Sequence, residues 1–106
     1  MIATTPKPPY FAVIFSSIRT EGENGYSEMA YRILELAFVQ EGYLGYESAR
    51  DDLGITVSYW DSLDSIKKWK ENAEHRMAQK SGRDSWYSAF KVRIAKVEMD
   101  YDFSKL

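Results

Sequence analysis

Residues 10–15 read Tyr-Phe-Ala-Val-Ile-Phe, so an extended chain here points Phe11, Val13 and Phe15 one way and Tyr10, Ala12 and Ile14 the other. Neither face of such a strand is suited to water, and a sheet built around it needs two covers. A single layer of helices supplies one. The second must come from elsewhere, and that requirement constrains the chain more than any other of its features.

The rest of the sequence supplies a sheet and two helices. Residues 10–18 form a first strand of aromatic and β-branched residues, ended by Arg19 and a turn-rich segment over 21–25. Over 26–40 the residues Met29, Ile33, Leu36 and Ala37 recur at helical spacing, with Glu28, Arg32 and Glu35 as the polar stripe and Gly42 as the stop. Residues 43–50 and 55–60 predict a hairpin about a turn at 51–54, with Ile55, Val57 and Tyr59 alternating against Thr56 and Ser58. Asp61 or Ser62 caps a second helix whose apolar stripe is Leu63, Ile66, Trp69, Ala73 and Met77, and Gly82 ends that helical region.

The last strand, over 86–99, alternates Phe90, Val92 and Ile94 against Lys91 and Arg93, and then changes parity to Ala95, Val97 and Met99. A β-bulge near Ile94 and Ala95, or a change of covering partner there, explains the switch. The order βαββαβ predicts an α+β, ferredoxin-like fold with a four-stranded antiparallel sheet and both helices on one face. Residues 1–9, which hold all three prolines, read as an extended arm, and residues 10–106 as a single domain. The uncovered sheet face predicts a homodimer, two sheets face to face, burying on the order of 1,200 Å² or more. The competing arrangement is a monomer whose arm and C-terminal tail fold across that face.

Composition narrows the function. A net charge of −2 with mixed signs lacks the basic footprint of a nucleic-acid binder. With no cysteine and one histidine the chain carries neither a thiolate nucleophile nor the ligands of a structural zinc site. No apolar run approaches the length of a membrane span, so the expectation is a soluble, cytoplasmic protein with no membrane partner.

Three stretches carry a resemblance: Gly-Tyr-Leu-Gly-Tyr-Glu at 42–47, Tyr-Trp-Asp-Ser-Leu-Asp-Ser-Ile-Lys-Lys-Trp at 59–69, and His75 followed by Gly-Arg-Asp-Ser-Trp-Tyr at 82–87. Together with the element order they make the chain, from Phe11 to Val97, similar to the antibiotic biosynthesis monooxygenase family of dimeric α+β barrels. The resemblance implies a homodimer with a pocket between the sheet and helices of each subunit. It also implies, for some members, oxidation of aromatic polyketide-like or quinol-like compounds by dioxygen without metal or flavin, so no cofactor is expected here. Fold likeness alone does not establish catalysis, and a non-catalytic dimer that binds a small ligand or is purely structural is the alternative. Haem-degrading relatives pair a helical Trp with a His ten residues later and an Asn on the first strand. Trp69 matches the first, but Gln79 stands at the second position and Ser16 and Ser17 occupy the strand, so haem degradation is not expected.

The candidate catalytic residues are His75 and Trp69. His75 is the natural proton carrier near neutral pH, although on an unbroken helix it faces away from the apolar stripe, a surface position. Trp69 lies on that stripe, where it serves the core or stacks on a substrate, and Trp60, which ends a strand, lines a pocket mouth or seals a sheet edge. The substrate-pocket candidates are Ser16, Tyr46, Tyr59, Arg83 and Trp86: hydroxyls for an oxygenated ring, a cation for an anionic group, and an aromatic wall at the start of the last strand with Tyr87. Each has a plain structural reading as well, backbone hydrogen bonding for the tyrosines and a local ion pair with Asp84 for Arg83.

Overall fold

The computed structural model describes residues 1–23, 25–79 and 86–105, with residues 75–79 described by backbone alone. The elements run β1 (Tyr10–Arg19), α1 (Tyr26–Phe38), β2 (Tyr43–Arg50), β3 (Gly54–Trp60), α2 (Leu63–Gln79) and β4 (Tyr87–Val97). The four strands form one antiparallel sheet in the order β2-β3-β1-β4. This is the expected βαββαβ architecture. Gly82 and Arg83 lie outside the described residues.

Local chemistry explains the helix ends. Ser62 is the N-cap of α2: its hydroxyl accepts the Ser65 backbone N–H at 3.1 Å, while the Ser65 hydroxyl donates to Asp61 at 3.2 Å. α1 starts after Gly25, which has no capping side chain, and the Glu23 carboxylate takes that role by accepting the Ser27 N–H at 2.6 Å. α1 stops at Phe38, two residues short of the sequence expectation, and Gly42 turns the chain into β2 at φ +91°. A Cβ at Gly42 would run into the Asp61 carboxylate and the Ser65 side chain, so only glycine suits both the dihedral and the space.

Residues opposite each other in an antiparallel sheet share a face. The pairings Phe11↔Trp60, Val13↔Ser58 and Phe15↔Thr56 therefore put Trp60, Ser58 and Thr56 on the side of Phe11, Val13 and Phe15, and Val13↔Ile94 and Phe15↔Val92 add the apolar half of β4. This is the helix side. Its core is Val13, Ala37, Trp60 and Ile66, with Phe11, Tyr43 and Trp69 packed on it. Trp60 is wholly buried, and its ring meets Trp69 at 5.2 Å and Tyr43 at 5.5 Å between centroids. Its indole N–H donates to the Ser58 hydroxyl at 2.9 Å, which satisfies the one polar atom this burial would strand. The sequence reading placed Trp60 at a sheet edge or pocket mouth; it stands instead at the centre of the helix–sheet contact.

The parity switch on β4 resolves as a change of cover. Register runs unbroken from Ala89 to Val97 against β1, so Ile94 and Ala95 simply lie on opposite faces, and the one irregularity falls at Ile18/Arg19, beside Ser88. On the outer face the chain's own termini cover one end. Tyr10 and Ala12 are buried; the Tyr10 hydroxyl donates to Asp100 at 2.5 Å and accepts from Thr5 at 3.1 Å, and the Ala3 N–H donates to Glu47 at 2.9 Å. Residues 1–9 contain no helix or strand. At the other end Ile18 and Ile55 remain exposed. Among the described residues no helix is long and apolar enough to cross a membrane.

Removing the Trp60 ring takes away the piece that all of this packs against. Trp60→Ala is expected to lower unfolding free energy by about 3–5 kcal/mol in urea denaturation, against a total of about 5–15 kcal/mol for a domain of this kind. A loss below about 1 kcal/mol would show that the core is organised elsewhere.

Candidate functional site

The helices do not roof the whole sheet. α1 packs on α2 and β2, and α2 on β3, while the helix-side residues of the edge strand β4, Phe90, Val92 and Ile94, stay partly exposed. Between that uncovered strip and the two helices lies a cavity of about 260 Å³. Its floor is Val13, Phe15, Phe90, Val92 and Ile94, and its helical wall is Tyr26, Ala30, Ile33, Leu34, Ile66, Trp69 and Ala73. A space of this size and apolar character suits a ligand of one or two rings.

Trp69 is held in this wall from both sides. Its ring leans on Trp60, and its indole N–H donates to the Ile33 carbonyl at 3.1 Å, which ties α2 to α1 and fixes the ring plane. It therefore serves the core and lines the cavity together, where the sequence left the two roles as alternatives.

One end of the cavity carries a cation and two tyrosines. Tyr87 and Arg50 line the cavity there with Tyr26. The Tyr26 and Tyr87 rings meet edge to face at 5.7 Å, and the Arg19 guanidinium stacks on Tyr26, 3.4 Å from its centroid. The Arg50 guanidinium donates to the Ser17 hydroxyl and to its carbonyl at 3.4 Å, with Ser17 fully buried beneath. Burial first, then the neighbouring Tyr26, push the Tyr87 hydroxyl far above its ordinary range, opposed by Arg50 and Arg19. Tyr87 thus keeps its proton at neutral pH, and its hydroxyl is hydrogen-bonded with Tyr26. Glu74 lines the cavity too, paired with Lys70 at 3.8 Å in an exposed i,i+4 contact. Among the described residues no three His, Cys, Asp or Glu side chains cluster as a metal site.

Of the residues singled out from sequence, Trp69 lines this cavity. Ser16 and Tyr59 do not: β1 and β3 parity turns both to the outer face, where the Tyr59 hydroxyl donates to Glu47 at 2.7 Å. Burial first and that bond second push the Tyr59 hydroxyl up to about 12. Tyr46 is on the helix side but packs on Phe38, centroids 5.9 Å apart, away from the lining. Trp86 is buried, and its carbonyl accepts from Arg19 at 3.0 Å; it seals the start of β4 instead of facing the cavity. The side chain of His75 and all of Arg83 lie outside the described residues. Sequence reasoning passed over Arg50, because a strand-end arginine looks like any solvated cation until the fold lays it across Gly54 toward Ser17.

A ferredoxin-like sheet with an apolar cleft under two helices defines a class of α+β proteins, and comparison with known sequences makes the class specific. Residues 9–81 match the model of the antibiotic biosynthesis monooxygenase family, and the chain belongs to that family. It is 52% identical over 99 residues to the uncharacterized protein YqjZ of Bacillus subtilis, covering 92% of this chain and 87% of that one. SnoaB of Streptomyces nogalater, described as a cofactor-independent oxygenase, shares the fold at TM-score 0.70 and 6% identity, with 86% of this chain and 95% of that one aligned. PA3566 of Pseudomonas aeruginosa does so at TM-score 0.66 and 14% identity, over 91% and 99% of the two chains.

The outer-face network gives a pH test. Its bond from Tyr59, and next the Ala3 N–H, hold the Glu47 carboxyl below its ordinary value of 4.5. A carboxyl depressed in the folded state stabilises it above the unfolded pKa and ceases to do so as pH falls through the folded one. The native chain should therefore lose stability more steeply below about pH 4.5 than Glu47→Gln in acid titrations followed by circular dichroism. Parallel curves would contradict the assignment.

Proposed function

We propose that this protein is a cofactor-independent monooxygenase for a small aromatic or quinol-like compound bound in the cleft between sheet and helices. The observation that carries the reading is the apolar cavity with the Trp69 ring fixed in its wall, in a chain of the monooxygenase family. The cofactor-independent oxygenase activity named for SnoaB, which shares the fold, supports it.

The chemistry requires little of the protein beyond positioning and exclusion of water. A phenol bound as its anion gives one electron to dioxygen, and the resulting aryloxyl radical and superoxide combine at a ring carbon. Loss of water from that hydroperoxide, taking the hydrogen of the same carbon, leaves a carbonyl. One oxygen atom stays in the product and the other leaves as water, so no external reductant is required. Trp69 holds the ring plane, and the apolar walls keep bulk water from the radical pair. His75, on α2 beyond Glu74, is the residue assigned to proton handling, and Arg83 the one assigned to a further anionic group of the substrate where it carries one.

The same reading takes residues 10–106 as one domain with residues 1–9 as its arm, acting in the cytoplasm as a homodimer through the outer sheet face. The support is physical. The termini cover the Tyr10 end of that face, while Ile18, Ile55 and the tail residues Met99, Tyr101 and Phe103 are left exposed.

Two measurements test this. Oxygen uptake with a panel of quinols and acidic phenols should consume one dioxygen per product, with one labelled atom incorporated, and Trp69→Ala should slow it about tenfold or more. Ligand binding without uptake by any of the panel would favour the non-catalytic binding dimer. Light scattering should give twice the 12.3 kDa chain mass, and Val57→Glu, in the middle of the outer face, should return it to one chain mass. A native monomer would contradict the interface.

A further inference from the structure

We infer that Arg50 anchors a ligand that carries an anionic oxygen on a flat aromatic body, so that the cleft selects acidic enols, phenols or aromatic carboxylates over neutral analogues. This rests on the cleft being the ligand site and names the chemical class that it takes.

Arg50 is held by its own strand pairing and by Ser17. It closes β2 opposite Gly54, and its guanidinium lies across that residue in space that a Cβ would fill. The absence of a side chain at Gly54 is what lets the guanidinium lie inward on the helix side. There it donates to the hydroxyl and carbonyl of Ser17, a residue 1% exposed. A guanidinium carries five N–H donors, and these two bonds leave others for a ligand. Among the described residues Arg50 makes no ion pair; the carboxylate on the cavity wall, Glu74, is engaged with Lys70.

Surroundings sharpen the preference. Tyr87 feels the positive charges of Arg50 and Arg19, and its hydroxyl, hydrogen-bonded with Tyr26, lies at the same end of the cavity. An anionic oxygen placed there meets the N–H fork of Arg50 beside the Tyr26–Tyr87 pair, the arrangement in which charge-assisted hydrogen bonds form. From that end the lining runs apolar through Phe15, Phe90 and Val92 toward Trp69. The cavity is therefore polarised, with a cation and donors at one end and a stacking surface along its length. For the proposed reaction the consequence is that the ligand enters as the anion. Its own proton stays in solvent and Arg50 holds the ionised oxygen, so the proton handling assigned to His75 falls to the peroxide that forms later.

The test uses the whole native chain under nitrogen, so that turnover plays no part, with calorimetric titration of three probes. Naphthoate supplies a carboxylate, hydroxynaphthoquinone an enolate ionised at neutral pH, and naphthamide is the neutral match in shape. The native protein should bind at least one anion about tenfold more tightly than naphthamide, and that preference should shrink as salt rises. Arg50→Gln should weaken the anion about tenfold and leave naphthamide within about twofold, with Arg50→Lys between them, because lysine keeps the charge and loses the fork. Binding of one anion and not the other identifies the oxygen type recognised. Equal affinities for anion and amide, no binding of either anion, or an Arg50→Gln effect of the same size on all three would overturn the proposal. Absence of oxygen uptake would count against the oxygenase and leave this result standing. Should Arg50→Gln unfold, the salt dependence and the anion-to-amide ratio of the native chain decide the matter alone.

Discussion

Trp60 and Trp69 face each other at 5.2 Å, one at the end of β3 and the other midway along α2, and the position of both helices follows from that contact. Trp60 is wholly buried with its N–H bonded to Ser58, so it cannot shift without opening the core around it. α2 must therefore cross the sheet over β3, and the Trp69 N–H to Ile33 holds α1 beside it. Both helices are thereby held over one side of the sheet. β4 keeps its apolar residues Phe90, Val92 and Ile94 without a full cover, and the cavity is the space left under the helices at that edge.

The outer face follows from the first strand. Its two apolar faces call for two covers, and the molecule supplies the second in part from its own ends, where Thr5 and Asp100 meet the Tyr10 hydroxyl and Ala3 meets Glu47. The sequence reading weighed a partner subunit against such a fold-back. The termini seal the Tyr10 end and leave Ile18 and Ile55 uncovered at the other, so the fold-back does not remove the case for a partner.

Element order and type were legible because they depend on local signals: the aromatic and β-branched run of β1, the helical spacing of Met29, Ile33 and Ala37, the Ser62 cap. Which face the helices choose was not. Residues on both sides of β1 are apolar, so Ser16 and Tyr59 could be placed on a pocket only by choosing a face, and the register puts them on the outer one. Trp60 was misjudged for a related reason: a tryptophan at a strand end signals an edge unless a helix returns across it, and that return is set by α2, which comes later in the chain. The positive end of the cleft joins β1, α1, β2 and β4 through Ser17, Tyr26, Arg50 and Tyr87. No sequence spacing links these residues; only pairing and the space over Gly54 bring them together.

The central claim is that the ligand site is the cleft left open beside the Trp60–Trp69 contact. Nuclear magnetic resonance of the nitrogen-labelled chain tests it directly, since the three tryptophan indole N–H groups act as separate reporters. On titration with naphthoate, the Trp69 indole and the backbone amides of Phe90 and Val92 should shift together, while those of Tyr10, Ala12 and Tyr59 on the outer face stay in place. Shifts confined to the outer face, with the Trp69 indole unmoved, would contradict the account.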